Sequence, residues 1–158
     1  MNIAIASDHA GFDLKAHVGR FIESLGHEVI DCGTESDESC DYPDYGRAAA
    51  IKVITGEAER AVLVCGSGVG IMVAANKVRG IVAGTCHDTF SARQGVEDDA
   101  MNVLCLGARV IGTAVAEECI RAFLSARFSE AERHARRLNK VREIERETRE
   151  GVFDREVS

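Results

Sequence analysis

The stretch Ala61-Val62-Leu63-Val64-Cys65-Gly66-Ser67-Gly68-Val69-Gly70-Ile71 decides how this chain is read. Its first five residues are apolar without alternation, the pattern of a strand buried on both faces of a parallel sheet. The three glycines that follow let the backbone turn tightly and bring its N–H groups close to a ligand. A helical pattern comes next, so the positive end of a helix dipole faces the turn. Strand, glycine turn and helix make one βα unit.

Outward from this unit the alternation repeats. Strands are predicted at 2–7, 28–32, 61–65, 81–86 and 103–106. Helices are predicted at 11–25, 42–55, 68–77, about 89–96, 113–126 and 129–150. Five apolar strands with intervening helices predict an α/β fold: a three-layer α/β/α sandwich on a Rossmann-like five-stranded parallel sheet, with an added C-terminal helix. No repeat, linker or low-complexity tract divides the chain, so residues 1–150 form a single domain and 151–158 a frayed tail. The 33–41 connection is acidic and small, and is expected to be exposed. The 129–150 helix is dense in Arg and Glu, with a thin apolar stripe of Leu138, Val141 and Ile144. It reads either as a solvated helix laced with i,i+4 pairs or as a helix packed on a second subunit.

Composition narrows the function classes. The 158 residues are 46% hydrophobic and 28% charged, the balance of one ordinary globule. Against 19 basic residues stand 26 acidic ones, a net charge of −7 that argues against nucleic acid as partner. No apolar run approaches the roughly 20 residues of a membrane helix, and the first residues lack the basic leader of a secretory signal. Six cysteines without a C-x-x-C pair read as thiols in a reducing cytoplasm, most of them small buried hydrophobes.

In open α/β sheets, ligands bind beyond the carboxyl ends of the strands. There the sequence sets Ser7-Asp8-His9, Cys32-Gly33-Thr34, Cys65 to Gly70, Cys86-His87-Asp88 and Gly107-Ala108-Arg109. The glycine turn is not a Walker A loop, lacking its Lys-Ser/Thr. Ile71 breaks the dinucleotide fingerprint. Cys65 stands beside a helix N-terminus, which favours a thiolate and suits a general base or nucleophile; a buried structural cysteine is the competing reading. Asp8-His9 suits hydroxyl binding and proton transfer, or helix capping. Arg133 and Arg137, four apart, share a helix face and make a phosphate clamp.

These segments, together with Val29-Ile30-Asp31-Cys32-Gly33-Thr34, Asp41-Tyr42-Pro43, Ala74-Ala75-Asn76-Lys77, Asn102-Val103-Leu104 and Arg133-His134-x-x-Arg137, closely resemble the ribose-5-phosphate isomerase B family. That family includes the galactose-6-phosphate isomerase subunits. The resemblance runs from residue 2 to about 145. It implies a metal-free, cofactor-free aldose–ketose isomerase working through a cis-enediolate. By the same resemblance Cys65 is the base that moves a proton between C1 and C2. Ser67 and the N–H groups of Gly66, Gly68 and Gly70 hold the enediolate oxygens. Asp8 and Asn102 bind sugar hydroxyls, and His9, Arg109, Arg133 and Arg137 hold the phosphate and substrate ends. Tyr42 and Val69 complete the expected contacts. The family's active site lies between subunits, so a homodimer or a dimer of dimers is implied, with the C-terminal arginines coming from the partner.

One position departs from the pattern. Where ribose-type members carry a ring-opening histidine, this chain has Asp98. An ionised aspartate is a poor proton donor near neutral pH. Ribose 5-phosphate to ribulose 5-phosphate remains the expected reaction, with Asp98 in the catalytic set and Asp8 or His9 able to compensate. D-erythrulose 4-phosphate to D-erythrose 4-phosphate is the alternative, because a tetrose with phosphate on O4 closes no furanose. A thiol redox enzyme and a non-catalytic phosphosugar-binding protein are the rival classes. The first lacks a resolving cysteine near Cys65, and the second has no reason to keep both Cys65 and Ser67.

Overall fold

The computed structural model describes residues 1–155. Five strands, β1 (Asn2–Ser7), β2 (Glu28–Asp31), β3 (Arg60–Cys65), β4 (Ala83–Thr85) and β5 (Val103–Gly107), form one sheet in the order β2-β1-β3-β5-β4. Every pairing is parallel. The predicted α/β/α sandwich is therefore the architecture observed. β1, β3 and β5 are buried nearly end to end, as their unbroken apolar runs require, whereas the edge strands β2 and β4 are only partly covered.

Two cores lie on opposite faces of the sheet. On one, Ile3, Ile5, Val62, Val64, Leu104 and Leu106 meet α1 (Phe12–Ser24), α4 (Thr89–Asp99) and α5 (Thr113–Ser125). On the other, Ala4, Ala6, Leu63, Cys65, Val103 and Cys105 meet α2 (Tyr42–Ile54) and α3 (Val69–Ala75). Successive strand residues thus alternate between the layers, as the pleat dictates. The sixth helix, α6 (Glu132–Arg149), packs outside the sandwich on α4.

Several boundaries differ from the sequence reading. The first helix is preceded by a 3-10 turn, His9–Gly11, with Asp8 as its cap. β4 pairs only over three residues, and α4 continues to Asp99, three residues beyond the predicted end. Ala100 closes it with φ 55°, a left-handed stop that alanine seldom supplies. α6 begins at Glu132, not 129. Val152–Arg155 forms a 3-10 turn after α6; residues 156–158 of the expected tail lie outside the described residues. The i,i+4 lacing of α6 is present in Arg146 with Glu150 at 3.0 Å. Of its apolar stripe, Leu138 is buried while Val141 and Ile144 are exposed.

Candidate active site

From β1 the chain passes to β2 on one side and returns to β3 on the other. The strand order reverses between β1 and β3, and in open α/β sheets ligands bind beyond the carboxyl ends of the strands at such a point. Asp8-His9 leave β1 and Cys65 to Gly70 leave β3 at this point. Topology alone brings them together.

Cys65 is 4% exposed and belongs to the core layer beneath α3, yet its sulfur is turned to the loop. The backbone N–H of Gly68 donates to Cys65 Sγ at 3.1 Å. In this structure the Gly68 amide is directed at the sulfur. Gly68 has φ +81°, and a β-carbon there would stand 3.0 Å from the Leu106 carbonyl carbon. Only glycine makes this turn without strain. Ser67 Oγ accepts from Val69 N–H at 3.2 Å and keeps its own hydrogen to donate. The β5 exit braces the loop from behind through Ala108 N–H to Cys65 O at 2.8 Å and Arg109 N–H to Gly66 O at 3.0 Å.

Arg109 and Tyr42 stand against this loop, and Asp8 and His9 leave the neighbouring strand β1. Arg109 Nη1 lies 3.4 Å from where a Gly66 β-carbon would be. The Tyr42 ring, at the start of α2, leaves 3.0 Å for a β-carbon at Gly70, so these two positions fit only because one is glycine. Asp8 is buried, and its Oδ1 accepts from Gly11 N–H at 3.1 Å. Cys40 N–H lies 3.2 Å and Cys40 O 3.3 Å from His9 Nδ1, so the backbone of Cys40 holds the ring at this nitrogen.

Not every expected residue joins them. Asn102 precedes β5 and so lies at the amino edge of the sheet. Its Oδ1 accepts from Val82 N–H at 2.8 Å and its Nδ2 donates to Gly80 O at 2.9 Å. It braces two strand entries, at the edge opposite Cys65 of its own chain. Asp98 is the penultimate residue of α4, which starts after β4 and runs about 15 Å back toward that same amino edge. α5 also ends there, so Arg133 and Arg137 on α6 begin beside Asp98 and far from Cys65. Within one chain the candidate residues form two clusters, at opposite edges of one sheet.

Two histidines gain importance that the sequence reading did not assign. His87 Nε2 accepts from Gly107 N–H at 2.9 Å behind the glycine loop, and its place at a strand's carboxyl end was the available signal. His134, between the two arginines, is buried and stands 3.3 Å from Asp98. Elsewhere all six cysteines are free thiols. Burial, with a smaller contribution from Asp88, pushes the Cys86 thiol up to about 11, and burial also raises Cys105 and Cys119.

Comparison with known proteins agrees with this geometry. The chain is 41% identical over 143 residues to ribose-5-phosphate isomerase B of Escherichia coli, covering 90% of this chain and 95% of that protein. It is 38% identical over 144 residues to D-erythrulose-4-phosphate isomerase 2 of Mycolicibacterium smegmatis, covering 89% and 95%. The structure of Clostridium thermocellum ribose-5-phosphate isomerase B superposes with a TM-score of 0.91 at 44% identity, over 94% of this chain and 99% of that one. Among the described residues no helix is long and apolar enough to cross a membrane. The sequence profile of the family described as Ribose/Galactose Isomerase matches residues 3–141, and with these relatives over nine-tenths of its length the chain belongs to that family of sugar phosphate isomerases.

Proposed function

We propose that this chain interconverts a short phosphorylated aldose and ketose through a cis-enediolate, with ribose 5-phosphate and ribulose 5-phosphate as the pair. The observation that carries the reading is the Gly68 N–H aimed at Cys65 Sγ in the crevice between β1 and β3. The Cys65 thiolate takes a proton from one substrate carbon and returns it to the neighbouring carbon on the same face. Meanwhile the electron pair of the broken C–H bond is held in the enediolate, and a proton passes between its two oxygens. Ser67 Oγ–H and the loop amides of Gly66 and Gly70 donate to those oxygens; one such donor lowers a barrier by about 3 kcal/mol. Asp8 binds a hydroxyl, with Tyr42 and Val69 flanking the substrate. His9 and Arg109 hold the substrate ends.

Phosphate falls to Arg133 and Arg137, which lie at the other edge of their own sheet. A second copy of the chain brings its α6 to this Cys65 loop, so the functional unit is a homodimer or a dimer of dimers with shared sites. Exposed Val69, Val73, Val141 and Ile144 are the apolar surface that such pairing covers. A small anionic sugar is the only partner besides the second copy; the reaction runs in the cytoplasm, without metal or cofactor, nucleic acid or membrane.

The test is a mixing experiment. Cys65→Ala and Arg137→Ala homodimers are each inactive on ribose 5-phosphate, and dissociating and reassociating them together regenerates sites in which both residues are intact. Failure to recover any turnover in the mixture overturns the shared site.

A second reading has its own observation. Asp98 replaces the ring-opening histidine and its carboxylate is engaged by His134 and Gln94, at 3.3 and 3.1 Å. On the pentose, ring opening then falls to His9. On D-erythrulose 4-phosphate no ring need open, and a relative 38% identical carries that substrate in its name. Side-by-side turnover decides: activity on the pentose alone removes the tetrose, and activity on the tetrose alone removes the pentose.

A further inference from the structure

We propose that Asp98 acts through His134 as a positioning residue, holding the first turns of α6 so that Arg133 and Arg137 are presented in a fixed pose. The inference rests on the reading of these arginines as the phosphate grip.

The start of α6 has few other restraints. Ala131 stands at its N-cap without a side-chain cap. Of its eighteen residues, His134 and Leu138 are the buried ones. The imidazole of His134 is 5% exposed, and its Nδ1 meets two groups at once: Ser129 Oγ at 2.7 Å and Asp98 Oδ1 at 3.3 Å. Gln94 Nε2 steadies the other carboxylate oxygen of Asp98 at 3.1 Å. The backbone closes the same joint, with Ser129 N–H donating to Glu97 O at 2.9 Å. The end of α4 and the start of α6 are clasped at one point, and Asp98 and His134 are its side-chain halves.

The clasp bears on the arginines by helix geometry. Arg133 adjoins His134 in sequence, and Arg137 follows one turn after Arg133 on the same face. A buried imidazole fixes the rotation of the helix, so it fixes where both guanidinium groups point. A phosphate held bidentately is sensitive to that direction. A carboxylate that sets the orientation of a histidine is a familiar arrangement behind binding residues, and its removal typically weakens binding by about 10- to 100-fold. Asp98 then does its work without touching the sugar.

The test uses the full-length enzyme and reads three quantities: KM and kcat for the phosphosugar, and the inhibition constant of inorganic phosphate. Asp98→Ala and His134→Ala each raise KM and the phosphate inhibition constant by about tenfold, with kcat kept within about twofold. The double variant is no worse than either single one, because both remove the same joint. Asp98→Glu, which keeps the carboxylate, recovers most of the loss. Asp98→Asn and thermal unfolding guard against a variant that fails to fold. A fall in kcat with both binding constants unchanged places Asp98 at the reacting atoms and overturns the proposal, as do additive losses or no loss at all. Arg137→Ala separates the underlying reading: if it leaves the affinity for inorganic phosphate, read by calorimetry, unchanged, the phosphate grip fails whatever Asp98 does.

Discussion

The backbone N–H of Gly68 points at the sulfur of Cys65 from 3.1 Å, three residues on in the same turn. The base and the turn that supports it are one short piece of chain. Replacing the sulfur should therefore remove chemistry and leave the pocket. Cys65→Ala is expected to lower kcat by about a thousandfold or more, with phosphosugar binding by calorimetry retained. A variant that still turns over at a comparable rate assigns the base elsewhere. One that binds and signals in cells as the parent does favours a non-catalytic phosphosugar-binding protein.

Gly68 and Gly56 separate backbone strain from site geometry. Both have positive φ, +81° and +77°. A β-carbon at Gly56 meets nothing within 4 Å, whereas one at Gly68 meets Thr85 Cγ2 at 2.9 Å and the Leu106 carbonyl carbon at 3.0 Å. Each alanine substitution costs about 1 kcal/mol of stability for its φ. Gly68→Ala costs more and moves the N–H off the sulfur, so its turnover collapses; Gly56→Ala keeps full turnover. Equal activities for the two variants refute this account of the loop.

Lys15 holds the connection after β2. Its Nζ, in a side chain 4% exposed, lies 2.6 Å from both oxygens of Asp31 and 2.9 Å from Thr34 O. Lys15→Met keeps the volume and removes three hydrogen bonds. Asp31 is half exposed and regains water, so the loss is set mainly by the Thr34 carbonyl: about 1–3 kcal/mol in chemical denaturation. A midpoint unchanged from the parent would show that the ammonium does not secure this segment.

Cys86 governs an alkaline limb. Its thiol is raised by burial to about 11, above the value near 9 of an exposed thiol. The unfolded chain therefore loses this proton first. Stability is fully present below about pH 9 and falls as pH rises toward 11. Cys86→Ala should flatten that limb in urea melts between about pH 8 and 10.5. An identical slope in both proteins means that other groups carry it.

Much of the architecture was legible because it follows from burial. β1, β3 and β5 are central strands, and their apolar runs could belong nowhere else. The rule that ligands sit beyond strand carboxyl ends gathered Asp8, His9, Cys65 and Arg109, and the structure sets all four at that edge. Asn102 stands ahead of its strand and hence at the other edge, so only the family motif, and not this rule, brings it among the candidates. The end of α4 was hidden for a different reason. Glu97-Asp98-Asp99 reads as a polar exit, and the residue that stops the helix is an alanine in a left-handed conformation rather than a glycine. His134 was passed over because a histidine among arginines looks solvated, and only the packing of α6 on α4 reveals that it is buried.

The two faces of the sheet differ in depth. Ala4, Ala6, Ala49, Ala50 and Ala75 fill the side under α2 and α3, while isoleucines, valines and Phe123 fill the side under α1, α4 and α5. A layer built of methyl groups leaves no slack for a larger side chain, whereas a bulky layer can repack around small changes of shape. The helix that carries the glycine loop is seated on the thin side. Thickness thus sets tolerance: a larger side chain is expected to be accommodated in the deep layer and to displace the glycine-loop helix when placed in the shallow one.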